Sequence, residues 1–248
     1  YIKARLRNST LVKNPATGGI IPGVEDRASL EGDTFDIGYT LGALYEYSDQ
    51  TRFGIGYRSQ VKHKLKGDIK FEGLMLPANQ DISARITTPA NLTIGAYHDI
   101  NDKWSVMAEF GRTYWSSFDT LDIYGENNGK MSTTEERWKD TTFYAIGASY
   151  QYNDQWKFRV GFAVDQSAVG QEYRTPRIPD SDRLWYSSGI EYKYNDDWTF
   201  NLGYTYIRAD KGKVKLLGYH DGDNARGSLQ ADYENDIHIL GFGASYNF

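Results

Sequence analysis

From Trp156 to Asp165 the chain alternates without a break: Trp156, Phe158, Val160, Phe162 and Val164 fall on one parity, Lys157, Arg159, Gly161, Ala163 and Asp165 on the other. A repeat of two is the period of a β-strand, whose successive side chains leave opposite faces. The same alternation runs through Phe35 to Glu46, Leu184 to Tyr194, Trp198 to Ile207 and Leu240 to Phe248. Strands that present large apolar and aromatic groups on one face, and glycine and polar groups on the other, suit a sheet with lipid on its outer side and a lumen within.

The connections between these segments differ systematically in length. Four segments read aromatic, polar turn, aromatic: Tyr45 to Gln50, Tyr97 to Trp104, Tyr150 to Trp156 and Tyr192 to Trp198. Asn and Asp bond to their own backbone and tolerate left-handed conformations, so each predicts a tight hairpin turn. The intervening connections are long and polar: Asn8 to Asp33, Lys62 to Gln80, Gly125 to Trp138, Gln166 to Asp182 and Asp210 to Asn235. Short turns at one end and long loops at the other, with aromatics beside every short turn, predict an all-β transmembrane antiparallel up-and-down barrel with an interfacial girdle. About ten strands are expected over residues 1–248, as one domain, and the first, Ile2 to Arg7, has no hairpin partner before it.

Composition limits the alternatives. A mean hydropathy of -0.63 with 40% hydrophobic residues would suit a soluble domain, but a barrel strand shows lipid only every second residue. No apolar run of about eighteen residues is present, which excludes a transmembrane helix. With no cysteine there is no disulfide framework, thiol nucleophile or Cys-ligated metal. A net charge of -5 without a basic cluster argues against nucleic acid as a partner. Tyr1 begins in a strand pattern and nothing in the sequence reads as a signal peptide, so a mature or truncated chain is expected. The end, Ser245-Tyr246-Asn247-Phe248, is similar to the C-terminal aromatic signal read by barrel-assembly machinery, which implies that machinery as a partner through Phe248.

Three stretches carry a closer likeness: Thr51-Arg52-Phe53-Gly54-Ile55-Gly56-Tyr57-Arg58-Ser59, Tyr114-Trp115-Ser116-Ser117-Phe118, and Arg177-Ile178-Pro179-Asp180-Ser181-Asp182-Arg183 with Trp185 following. In order and spacing the chain resembles, from about Glu31 to Phe248, the long-chain fatty-acid transporter family of Gram-negative outer membranes, which also takes up toluene and other hydrophobic compounds. The resemblance implies a cell outer-membrane location, surrounding outer-membrane lipid, a monomer, no cofactor and no enzymatic activity. That family has fourteen strands and an N-terminal hatch. The hatch and roughly four strands have no counterpart here, which leaves two readings, a fragment or a reduced barrel.

Apolar residues of inward parity, Trp115, Phe143, Trp185, Ile207, Ile237 and Ile239, are expected to cluster toward the long-loop end. Charged inward residues, Glu46, Glu109, Lys157, Arg159, Glu191 and Lys193, fall toward the short turns, with Arg58 nearer mid-height. Such a graded lumen suits passive passage of a fatty acid or another hydrophobic ligand, the tail desolvated above and the head group meeting Arg58 or Arg159. A cross-strand network of Lys157, Arg159, Glu191 and Lys193 that stiffens the barrel is the alternative use of those charges. Inward glycines either leave bore or permit curvature. His63, His98, His220 and His238 are dispersed and no catalytic motif is present. Asp180, Asp182, Asp221, Asp223 and Asn224 could hold a cation, though turn chemistry accounts for them better. Two other functions stay open: a structural or receptor barrel with a packed lumen, and an outer-membrane lipid-acting enzyme with a histidine near Ser or Asp at the outer rim.

Overall fold

The structure, a computed structural model, describes residues 1–13, 20–73, 79–127, 129–217 and 228–247, with the backbone alone at 8–13, 20 and 22–25. In chain order its strands are β1 (Ile2–Lys13), β2 (Ile20–Thr34), β3 (Thr40–Ser48), β4 (Thr51–Arg58), β5 (Val61–Glu72), β6 (Gln80–Thr88), β7 (Asn91–Asp99) and β8 (Trp104–Thr113). A 3₁₀ turn, Trp115–Ser117, leads to β9 (Thr120–Gly125), β10 (Lys130–Glu135), β11 (Thr141–Gln151), β12 (Trp156–Asp165) and β13 (Arg183–Lys193). The chain then forms β14 (Trp198–Ala209), β15 (Gly212–Leu216), β16 (Leu229–Tyr233) and β17 (Asp236–Tyr246).

Among the described residues nine strands form the wall, in the order β17-β14-β13-β12-β11-β8-β7-β4-β3, and every pairing is antiparallel. Exposure follows the alternation: Phe158, Val160, Phe162 and Val164 are exposed, while Ala163 between them is buried. The short turns close as expected. Asn101, Asn153 and Asn195 each accept two backbone N–H bonds through Oδ1, from Lys103 and Trp104, Gln155 and Trp156, and Asp197 and Trp198. Beside them, ring pairs cross from strand to strand: Trp104 with Tyr150, Trp156 with Tyr192, and Trp198 with Tyr246 at 4.6, 4.4 and 5.0 Å between centroids. These are the aromatic girdle. Among the described residues the wall is open between its edge strands β3 and β17, and β3 is exposed along its whole length.

One expectation needs correcting. Ile2 to Arg7 is not a tenth wall strand; it belongs to β1 and pairs with β2, inside the first long connection. Most of the other long connections are strands as well, and six strands form a second sheet in the order β1-β2-β5-β6-β9-β10. Because β2 runs into β3, β4 into β5, β6 into β7, β8 into β9 and β10 into β11, this sheet repeats the order of the wall and prolongs it above the rim. Its strands read as polar loops because every second residue is charged. In β5, Lys62, Lys64, Lys66, Asp68 and Lys70 alternate with His63, Leu65, Gly67, Ile69 and Phe71. Register places Leu6, Leu30, Leu65, Ile69, Ile82 and Ile123 on a single face and the charges on the other. The sheet curls so tightly that a Cβ on Gly67 would overlap the Glu31 carbonyl oxygen. A third sheet, the β15–β16 hairpin, buries Val214 and Leu216.

Candidate functional site

Two contacts show which face of the upper sheet continues the lumen. Asp36 and Gly38 share the inward parity of β3. Asp36 accepts a hydrogen bond from Nδ1 of buried His63 at 2.9 Å, and a Cβ on Gly38 would meet Val61 Cγ2 at 2.6 Å. His63 and Val61 lie on the apolar face of β5, so that face and the lumen face are continuous. His63 also brings Nε2 to 3.2 Å from Thr88 Oγ1, which ties β6 into the same joint. The bond from His63, against the effect of burial and helped by Thr34, holds the Asp36 carboxyl below the usual carboxylate range.

Below the joint, five of the six apolar lumen residues lie together at the loop end. Trp185, Ile207 and Ile237 are directly opposite one another across β13, β14 and β17, and Ile239 lies one inward position lower, opposite Thr205. Phe143 stands edge-on to Trp185 across the intervening strand, with centroids 6.4 Å apart. Ile207 is 3% exposed, whereas Ile237 and Ile239 on the edge strand are 45% and 47% exposed. Trp115 is placed differently, because it lies on the 3₁₀ turn, where strand parity does not apply. Its ring packs edge-on against Trp138 at 4.9 Å, and Phe118 meets the same indole edge-on at 4.9 Å. Asp140 anchors that turn through the Ser116 amide at 3.0 Å and Arg112 at 3.4 Å. The Ser116 hydroxyl, opposed by burial and joined by the Ser116 amide and the Arg112 charge, keeps Asp140 below the usual carboxylate range.

The inward position directly above Trp185 is charged, which gives the apolar tier a polar ceiling. Arg183 pairs with Asp165 at 2.9 Å and with Asp180 at 3.0 Å. Around them the 166–182 connection is tied down, with Ser167 Oγ donating to Asp180 at 2.9 Å, Ser167 N to Asp182 at 2.7 Å and Arg174 Nε to the Asp180 carbonyl at 2.7 Å. The Ile-Pro-Asp-Ser-Asp-Arg stretch therefore works as a structural knot, and Asp180 and Asp182 are engaged in it. Asp221, Asp223, Asn224, His220 and Phe248 lie outside the described residues.

Toward the short turns a concavity of about 820 Å³ opens against the inner face, floored by Gly54, Gly95, Gly147, Gly161, Gly189 and Gly203. A Cβ on Gly203 or Gly241 would meet nothing within 4 Å, so at these positions glycine leaves bore. Of the two candidate cations, Arg159 is engaged, with Nη2 2.5 Å from Glu191 and Nη1 3.4 Å from Asn201. Lys193 turns instead to Asp196 at 2.9 Å. Arg58 closes β4 at the end away from its short turn, opposite Thr40 and Asn91, higher than mid-height. Arg52, which the sequence does not single out although it shares the parity of Gly54, Gly56 and Arg58, also lines the concavity. Its guanidinium lies 4.2 Å from the centre of the Tyr97 ring. On the outer face His238 bonds the Tyr204 hydroxyl at 2.7 Å and stacks on Tyr206, an amphipathic girdle position rather than a catalytic pair.

Comparison with known proteins adds the family. The model of the outer membrane protein transport proteins (OMPP1/FadL/TodX) matches residues 1–248. A long-chain fatty acid transport protein of Escherichia coli O6:H1 is 30% identical over 94% of this chain and 54% of its own length. Outer membrane protein P1 of Haemophilus influenzae is 28% identical over 94% of this chain and 50% of its own length. The chain thus spans about half the length of the curated relatives it matches. Among solved structures, a Pseudomonas aeruginosa FadL homologue superposes with a TM-score of 0.85 at 23% identity, covering 98% of this chain and 61% of that one. The Pseudomonas putida toluene transporter TodX gives 0.62 at 24% identity, covering 94% and 54%. The fold they share is the transmembrane antiparallel β-barrel.

Proposed function

Since this chain belongs to the outer membrane protein transport family, whose members are transport proteins of Gram-negative outer membranes and not enzymes, we propose that it forms wall and lumen for passive movement of long-chain fatty acids or other hydrophobic small molecules. The observation that carries this reading is the continuity of the apolar face of the upper sheet with the lumen face through His63–Asp36 and Val61–Gly38. A hydrophobic ligand settles first against Leu6, Leu30, Leu65 and Ile82, which line a furrow of about 140 Å³, then passes to the tier of Phe143, Trp185, Ile207, Ile237 and Ile239. Burial of an alkyl chain stabilises it by roughly 0.8 kcal/mol per CH₂. The lumen is graded beneath that tier toward Glu109, Lys157 and Arg159. Arg58, which has no ion-pair partner among the described residues, is the head-group cation of first choice.

We read residues 1–248 as part of one monomeric barrel domain bathed in outer-membrane lipid, with Phe248 offered to the barrel-assembly machinery. The test is uptake of labelled oleate and of toluene by cells lacking their own transporter, for the wild type, Trp185→Ala and Arg58→Ala. Both variants are expected to slow uptake, and an uncoupler is expected to leave wild-type rates unchanged. Wild-type uptake by both variants would remove the proposed site, and a rate that collapses with the uncoupler would remove passivity.

A further inference from the structure

The outer face of the upper sheet carries a cationic strip that, among the described residues, forms no ion pair. Because the apolar face of β5 continues the lumen, its opposite face continues the lipid-facing side of the wall. On that side the wall is apolar up to Tyr57, whose ring lies 6.1 Å from that of Tyr39. Above it the same side presents Lys62, Lys64 and Lys66 in succession, all exposed, with exposed Arg85 directly opposite Lys64 on β6. Like charges directly opposite destabilise a sheet. No carboxylate comes within ion-pair distance of any of the four among the described residues.

The carboxylates of that face lie elsewhere or are occupied. Asp33 is opposite Lys66 without pairing, Glu31 is held by Lys3 and Arg5, and Asp122, opposite Arg85, is held by Lys130 and Thr133. Asp68 and Asp81 face each other farther from the rim. Arg85 rests its guanidinium 5.3 Å from the Tyr124 ring centre. The four cations therefore form a belt immediately above the lipid-facing zone. Lys62 is five residues past Tyr57, roughly 17 Å of extended chain and less in height once strand tilt is allowed for. Lys62 therefore stands above the hydrocarbon edge, and a lysine stem can lean down from there toward the outer-leaflet head groups.

We propose that Lys62, Lys64, Lys66 and Arg85 form a binding seat for the phosphate groups of a multiply phosphorylated outer-leaflet lipid. The lipid's acyl chains lie against the apolar outer face below, and its phosphates supply the negative charge that the Lys64–Arg85 pair lacks. Each cation near an anionic lipid surface contributes on the order of a few-fold in affinity.

The test uses the full chain in detergent, with the lysines replaced together as Lys62→Gln, Lys64→Gln and Lys66→Gln, and Lys103→Gln at the opposite end as control. Binding of bisphosphorylated lipid A is followed by native mass spectrometry, beside its dephosphorylated form and with inorganic phosphate as competitor. Heat-modifiable migration on gels verifies that each variant is folded. The triple variant is expected to bind about tenfold more weakly or worse, and the control like the wild type. Equal binding by the triple variant, or equal binding of the dephosphorylated lipid, would overturn the proposal. Displacement by millimolar inorganic phosphate would overturn the lipid as occupant in favour of a free anion.

Discussion

Phe143 meets Trp185 edge-on, planes at 89°, on a diagonal across β12, where Asp165 stands opposite Phe143 and the buried methyl of Ala163 stands opposite Trp185. The two rings come from β11 and β13, which do not pair, and they approach because Ala163, beside Trp185, is too small to hold them apart. Replacing Ala163 by leucine is expected to push the rings apart. Overpacking of this kind costs about 1–3 kcal/mol. Urea unfolding in micelles should register that loss, together with slowed oleate uptake. Unchanged stability would mean that the tier is loose enough to absorb three carbons.

Gly67 is the position where the upper sheet folds most closely on itself. Alanine there would drive its methyl into the Glu31 carbonyl and the Gly32 backbone, so β2 and β5 must separate. Gly67→Ala is expected to open the upper sheet to limited proteolysis while the wall keeps its heat-modifiable migration. Equal protection of the two proteins would contradict the close approach.

The 3₁₀ turn gives a pH dependence whose sign follows from Asp140. Its carboxyl is held below the usual range by Ser116 and Arg112, so the folded form favours the carboxylate. The stabilisation is therefore fully present above the unfolded value, near ~3.9, and is lost as the pH falls through the lower folded value. Near-ultraviolet circular dichroism from the Trp115–Trp138 pair should stay constant from pH 7 to about 5 and weaken below about 4. Asp140→Asn should abolish that acid step; a step that persists would assign it to another group.

Asp180 is expected to govern the 166–182 connection. Asp180→Ala removes the acceptor of Ser167 Oγ and one of the two carboxylates on Arg183. Lost hydrogen bonds of this kind weaken the local structure by about 1–2 kcal/mol. Trypsin is expected to cut after exposed Arg177 several-fold faster in the variant. Equal cleavage rates would mean that Asp182 and Arg174 suffice to hold the knot.

Much of the fold was legible because a strand writes its two faces into consecutive residues. The wall strands, the Asn-based turns and the girdle needed only local rules: alternation, side chains that bond their own backbone, aromatics beside each turn. The upper sheet escapes those rules for an equally local reason. Alternation of lysine with His63, Leu65 and Gly67 has the period of a strand but the composition of a loop. Trp115 lies on a 3₁₀ turn, which keeps no strand parity, and Arg52 is hidden among the glycines that share its face.

Facing direction, then, is a property of neighbouring residues, and the sequence by itself determined which side chains look inward along the nine wall strands. Partnership is not local. That Arg159 is engaged by Glu191 and Asn201 rather than free for a carboxylate, that Trp115 finds Trp138, and that the long connections pair with one another above the rim all depend on register between segments tens of residues apart. Register is set by the summed packing and hydrogen bonding of whole strands, and only the tertiary structure holds that sum.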